Sequence, residues 1–165
     1  MSVGLLDINV LIALAWPSHV HHAQAHAWFA RHGADGWATC PLTQLAFVRI
    51  SSNPKIIPEA VLPQQALKVL SQIIAHEHHV FWRDDLPLSD HRIPVAHIMG
   101  HQQLTDAYLL GLAIRNRGRL VTLDESISSL VPAQDPRQHA IEIIRTEMKT
   151  AEQSNAAERQ KPGVR

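Results

Sequence analysis

Short apolar runs alternate with longer amphipathic ones along most of the chain. Val3 to Leu6 is a compact apolar run that leads into Asp7, Val10 to Trp16 follows at once, and Pro17 ends it. This pattern reads as strand, turn and helix. Residues His22 to Phe29 set Ala23, Ala27, Trp28 and Phe29 among polar positions and close near Gly33, which predicts a second helix. Trp37 to Cys40 is a candidate strand. Pro41 suits the first turn of a helix carrying Leu42, Leu45, Ala46, Val48, Arg49 and Ile50, which Asn53-Pro54 breaks. From Pro63 to Ile74, residues Ala66, Leu67, Val69, Leu70, Ile73 and Ile74 fall on one helical face. His78 to Trp82 reads as a strand, and Asp84 to Gly100, with its two prolines, as loop and short helix. Thr105 to Asn116 is apolar almost all round, so the helix it predicts should be buried between other elements, with Gly118 closing it. Leu120 to Leu123 is a strand ending at Asp124, and Ala140 to Ile144 adds an edge strand.

Strands alternating with helices predict an α/β three-layer sandwich, a mostly parallel central sheet flanked by helices. Residues 1–145 form one domain in this reading, and the polar stretch 146–165 is a tail expected to be partly disordered. In such sheets ligands sit at the carboxyl ends of the strands, so the residues just after each strand carry the most weight.

Composition narrows the setting more than the chemistry. The 165 residues suit one domain, and the 45% apolar content is ordinary for a soluble globular chain. The longest apolar run is far too short to cross a bilayer, so no membrane span is expected. Asp7 and Asn9 interrupt the stretch where a secretory signal core would lie, and no basic segment precedes it. The single cysteine, Cys40, has no partner for an internal disulfide; the cytoplasm is the expected compartment. Lys+Arg and Asp+Glu are both 15, so net charge says nothing for or against nucleic acid. Twelve histidines are many, and His19, His21, His22 and His26 crowd one segment. No cysteine or carboxylate stands among them to complete a zinc shell, so they read as a solvated helix face.

Three aspartates occupy corresponding places. Asp7 follows the first strand, Asp124 follows the late strand, and Asp106 stands at the start of the buried helix. A helix from Asp106 to Asn116 travels about 16 Å, and the strand after Gly118 returns roughly the same distance. Asp106 and Asp124 should therefore end at one rim of the sheet, and a parallel first strand brings Asp7 to them. Converging carboxylates raise one another's pKa unless a cation is bound, and hard oxygen donors suit Mg²⁺ or Mn²⁺. Such a site points to phosphodiester hydrolysis. Taken singly, each aspartate is explained as a helix cap or turn residue; the combination is what argues for chemistry.

The segments that hold these acids resemble a known family. Leu5-Leu6-Asp7-Ile8-Asn9-Val10-Leu11-Ile12 is similar to the first motif of PIN domains, an aspartate followed two residues later by asparagine. Pro41-Leu42-Thr43-Gln44-Leu45-Ala46-Phe47-Val48-Arg49-Ile50, followed by Ser52-Asn53-Pro54, resembles the second motif of VapC toxins. Leu104-Thr105-Asp106-Ala107-Tyr108-Leu109-Leu110-Gly111-Leu112-Ala113 and Leu120-Val121-Thr122-Leu123-Asp124 resemble the third and fourth, in family order. The resemblance implies a PIN-like fold, Mg²⁺- or Mn²⁺-dependent endoribonuclease activity on RNA, a cognate antitoxin protein and a homodimer. It also implies that Asp7, Asp106 and Asp124 bind the metal and that Asn9 orients Asp7. Where the family commonly has a glutamate, this chain has Gln44, which keeps a carbonyl oxygen as a candidate ligand but carries no charge.

Further candidates have competing structural explanations. Thr122 is placed to bond a carboxylate or an RNA phosphate, or simply to pack in a strand, and Arg49 to contact RNA or remain a surface charge. Asp84 and Asp85 follow a strand but read as solvated loop residues, and Trp16, Trp28, Trp37 and Trp82 as core or interface rather than base-stacking platforms. Two other functions compete. A haloacid dehalogenase-like phosphatase would use Asp7 as nucleophile but needs an acid where Asn9 stands. A PIN domain weakened by Gln44 would instead bind RNA or protein without cutting.

Overall fold

A computed structural model describes residues 2–145; the expected tail at 146–165 lies outside the described residues. Five short strands form one sheet in the order β3-β2-β1-β4-β5, every neighbouring pair parallel: β1 (Gly4–Leu6), β2 (Trp37–Thr39), β3 (His79–Phe81), β4 (Arg119–Thr122) and β5 (Ile141–Ile143). The helices are α1 (Ile8–Ala15), α2 (His22–His32), α3 (Pro41–Ser51), α4 (Pro63–Ile74) and α5 (Gln103–Arg115).

The period-two alternation of strand side chains divides the core into two. Leu5, Ala38 and Leu120 face a layer built by Leu109, Leu110, Leu112 and Ala113 of α5. Leu6, Trp37 and Val121 face the other way, against Val10 and Leu11 of α1, Trp28 of α2, Phe47 of α3 and Leu70 of α4. The result is the three-layer α/β sandwich read from the sequence, with the sheet wholly parallel. All four tryptophans are buried, and Trp16 Nε1 donates to Ser51 Oγ at 2.9 Å, tying the end of α1 to the end of α3.

Several boundaries differ from the pattern for identifiable reasons. α1 starts at Ile8 because the Asp7 carboxylate accepts the Ile8 N–H and caps the helix. α5 starts at Gln103, two residues early, where the Gln103 side-chain oxygen accepts the Met99 N–H at 2.8 Å. The 84–100 stretch is loop with one short 3-10 turn at Val95–His97. Two further 3-10 turns, Glu125–Leu130 and Pro136–Ala140, connect β4 to β5. The Asp124 and Asp135 side chains cap them by accepting the N–H groups of Ser126 and Arg137. These turns lack an apolar period, which is why periodicity passes over them. β4 and β5 are also joined by Arg119 Nε, 2.5 Å from Glu142 Oε2 but off the N–H direction, a Coulombic contact rather than a hydrogen bond.

Gly118 does not close α5 through a left-handed backbone. Arg117 holds that conformation, at φ 54°, while a Cβ on Gly118 would stand 2.5 Å from the Val3 carbonyl oxygen and press on the Trp82 ring. The glycine is required for space in the turn into β4, against Val3 and Trp82.

Candidate active site

The parallel sheet sends β1, β2 and β4 toward one rim, and Asp7, Cys40 and Asp124 leave it there. Asp7 is 5% exposed and its N–H donates to the Val121 carbonyl at 2.9 Å, locking the end of β1 to β4. Its Oδ1 accepts the Ile8 N–H at 2.6 Å and its Oδ2 accepts the Thr122 hydroxyl at 2.9 Å. Thr122 Oγ1 in turn accepts the Asp124 N–H at 3.1 Å. One fully buried hydroxyl thus fixes the first acid and the backbone of the third.

Asp106 enters from the first turn of α5. Burial, together with the charges of Asp7 and Asp124, pushes its pKa up to about 6. Burial likewise raises Asp7, with Asp124 adding to the rise and the hydrogen bonds from Thr122 and Ile8 opposing it. Among the groups that perturb these two acids none is a lysine or arginine. The three aspartates therefore share one rim, as the sequence predicts. Among the described residues, no three His, Cys, Asp or Glu side chains close into a ready-made coordination shell. That arrangement still fits Mg²⁺, which keeps several of its waters and takes one or two carboxylates directly.

The neighbouring residues divide differently from expectation. Asn9 makes no hydrogen bond to Asp7 among the described contacts; it is exposed on α1 and lines a cavity with Asp124, so Thr122 and the Ile8 amide do the orienting. Thr122, being fully buried, does not face RNA; it positions Asp7. Gln44 Nε2 donates to Thr39 Oγ1 at 2.8 Å, and that hydroxyl lies 2.8 Å from His79 Nε2, so the amide is held by β2 and β3. Arg49 is exposed in the last turn of α3, about 12 Å along the axis from the end that meets the rim. Asp84 and Asp85 are exposed, as read from the loop, and Asp85 pairs with Arg115 at 3.0 Å.

The histidine-rich segment is exposed at His26, as its composition indicates, but its imidazoles are also engaged with neighbouring elements. His22 Nδ1 and His26 Nε2 lie 2.7 and 2.9 Å from the carbonyls of Ala13 and Leu14, so two imidazoles satisfy the last turn of α1. His19 and His21 line the cavity with Asn9 and Asp124. Spacing alone hid them, but topology points to them. α2 ends just before β2 at the amino edge of a parallel sheet, so its start lies back at the carboxyl edge.

No protein-family model matches the chain. Curated relatives do. Ribonuclease VapC38 of Mycobacterium tuberculosis is 45% identical over 142 residues, covering 86% of this chain and 98% of that protein. Ribonuclease VapC39 of the same organism is 43% identical over 134 residues, 79% of this chain and 94% of that protein. Ribonuclease VapC44 is 38% identical over 137 residues, 82% and 96% of the two chains. With identities of 38–45% over 79–86% of this chain and nearly the full length of each relative, the chain belongs to the VapC ribonuclease family.

Proposed function

We propose that the protein is an Mg²⁺- or Mn²⁺-dependent endoribonuclease, the toxin of a toxin–antitoxin pair, with Asp7, Asp106 and Asp124 as its metal-binding acids. The observation that carries this reading is the mutual charge of the three aspartates: Asp106 is pushed up to about 6 by burial, Asp7 and Asp124. A divalent ion supplied at the rim would relieve that repulsion, polarise the phosphodiester and lower the pKa of an attacking water. The chain's own residues do the holding. Thr122 keeps Asp7 in one rotamer and fixes the turn that presents Asp124, while α5 delivers Asp106 from the opposite layer. The names of the relatives support ribonuclease activity, and the family resemblance supports a cognate antitoxin and a homodimer. The proposed setting is the cytoplasm; among the described residues no helix is long and apolar enough to cross a membrane.

Cleavage of a labelled panel of structured RNAs tests the reading, with Mg²⁺, Mn²⁺ or EDTA, for wild type and Asp7→Asn. Metal-dependent cutting lost in the variant is the expected result. Full activity in Asp7→Asn would remove the site. RNA binding without cutting by folded, antitoxin-free wild type would favour the weakened domain, in which Gln44 leaves the rim one charge short.

A further inference from the structure

Beside the three acids lies a cavity of 320 Å³ walled by Asn9, His19, Val20, His21, Leu123 and Asp124. Its two imidazoles are held in defined states by a relay of hydrogen bonds. Gln24 Nε2 donates to the Ile144 carbonyl at 3.0 Å, which fixes the amide with its oxygen toward His21. His21 Nδ1, 2.8 Å from that oxygen, therefore carries a proton and donates, which in the neutral ring leaves Nε2 as an acceptor. The His21 backbone N–H donates to His19 Nδ1 at 3.2 Å, so His19 carries its proton on Nε2 and offers a donor. Burial and the nearby His21 and His22 lower the His19 pKa, which favours the same neutral form. The rings lie 5.7 Å apart, and Val20 beside them is 87% exposed, an apolar wall left open to solvent.

We infer that this cavity is a nucleobase subsite: it takes the base of the nucleotide next to the scissile phosphate, with His19 and His21 reading its edge and Val20 packing on its face. The inference rests on the ribonuclease reading for the phosphate but on its own geometry for the base. A phosphate oxygen only accepts hydrogen bonds and would meet the bare Nε2 of His21. A base edge presents donor and acceptor side by side, which matches a donor on His19 and an acceptor on His21. Imidazole and apolar surfaces are also what single-stranded RNA bases stack on. Because Asp124 is shared by the cavity and the acidic rim, a base seated there leaves its own backbone at the acids.

The test is fluorescence anisotropy in EDTA, using labelled single-stranded RNA decamers that differ at one central base, with full-length wild type, His19→Ala, His21→Ala and Val20→Asp. Wild type should bind one base better than the others. Each histidine variant should weaken that preferred decamer by about 2–10-fold, the loss of one neutral hydrogen bond, and erase the preference. Val20→Asp changes an exposed side chain, so it retains the fold, and its charge should repel every decamer. Wild type that binds no decamer, or variants that match wild type across the panel, would overturn the subsite. The same proteins are then assayed for cleavage with Mn²⁺. Wild type that binds with base preference but never cuts removes the nuclease reading and leaves the subsite standing.

Discussion

Asp106 sits with water on one side and two carboxylates on the other, and that position makes it sensitive to pH. Unfolded, it titrates near 3.8; folded, near 6. Between those values the folded state binds more protons than the unfolded one, so lowering pH through 6 toward 4 relieves a destabilisation that is fully present above 6. Removing the charge should remove that dependence. Asp106→Asn is expected to melt higher than wild type at pH 7.5 in EDTA, with the gap closing by pH 4.5, as thermal denaturation across pH would show. Thr122 makes the opposite case, a neutral group on which two others depend. Thr122→Val leaves Asp7 Oδ2 and the Asp124 N–H without their partner, and should lower unfolding free energy by about 1–3 kcal/mol in urea titrations. No loss of stability would mean that water replaces the hydroxyl without cost.

At the scale of elements, the turn after α5 separates two reasons for a glycine. Arg117 adopts the left-handed backbone, so Arg117→Gly should stabilise the protein by up to about 1 kcal/mol. Gly118 meets the Val3 carbonyl and the Trp82 ring, so Gly118→Ala should cost about 1–3 kcal/mol. Chemical denaturation of the pair decides whether conformation or space governs the turn. The sequence makes Gly118 look like the cap because a pattern shows residue type and not the atoms opposite. The same limit runs through the rest of the reading. β1, β2 and β4 are legible because buried parallel strands are short continuous apolar runs, and α4 because one of its faces is apolar. Asp7 and Asp124 are legible because they follow such strands. His19 and His21 are not, since the path of α2 back across the sheet brings them to the rim and ligand spacing says nothing of it. The distinct work of Asn9 and Thr122 is likewise a matter of which side chain faces inward, and only the packed structure decides that.

Taken whole, the molecule has equal numbers of basic and acidic residues, twelve histidines and a pI near 7.2, so its net charge is smallest close to neutral pH. Self-association should therefore be strongest near neutral pH, and solubility should rise steeply as the pH falls to 5.5, which a precipitation series would measure. A monotonic fall in solubility over that range would show that surface histidines do not carry the charge. The sheet order has a consequence in time. β1 lies at the centre, and its partner β4 is synthesised more than a hundred residues later; Asp7 meets Thr122 only when that pairing is made. A ribosome-bound chain that has not yet emerged past residue 124 has no complete acidic rim. On the ribonuclease reading proposed above, the first three-quarters of every nascent copy therefore cannot cut RNA, by topology alone.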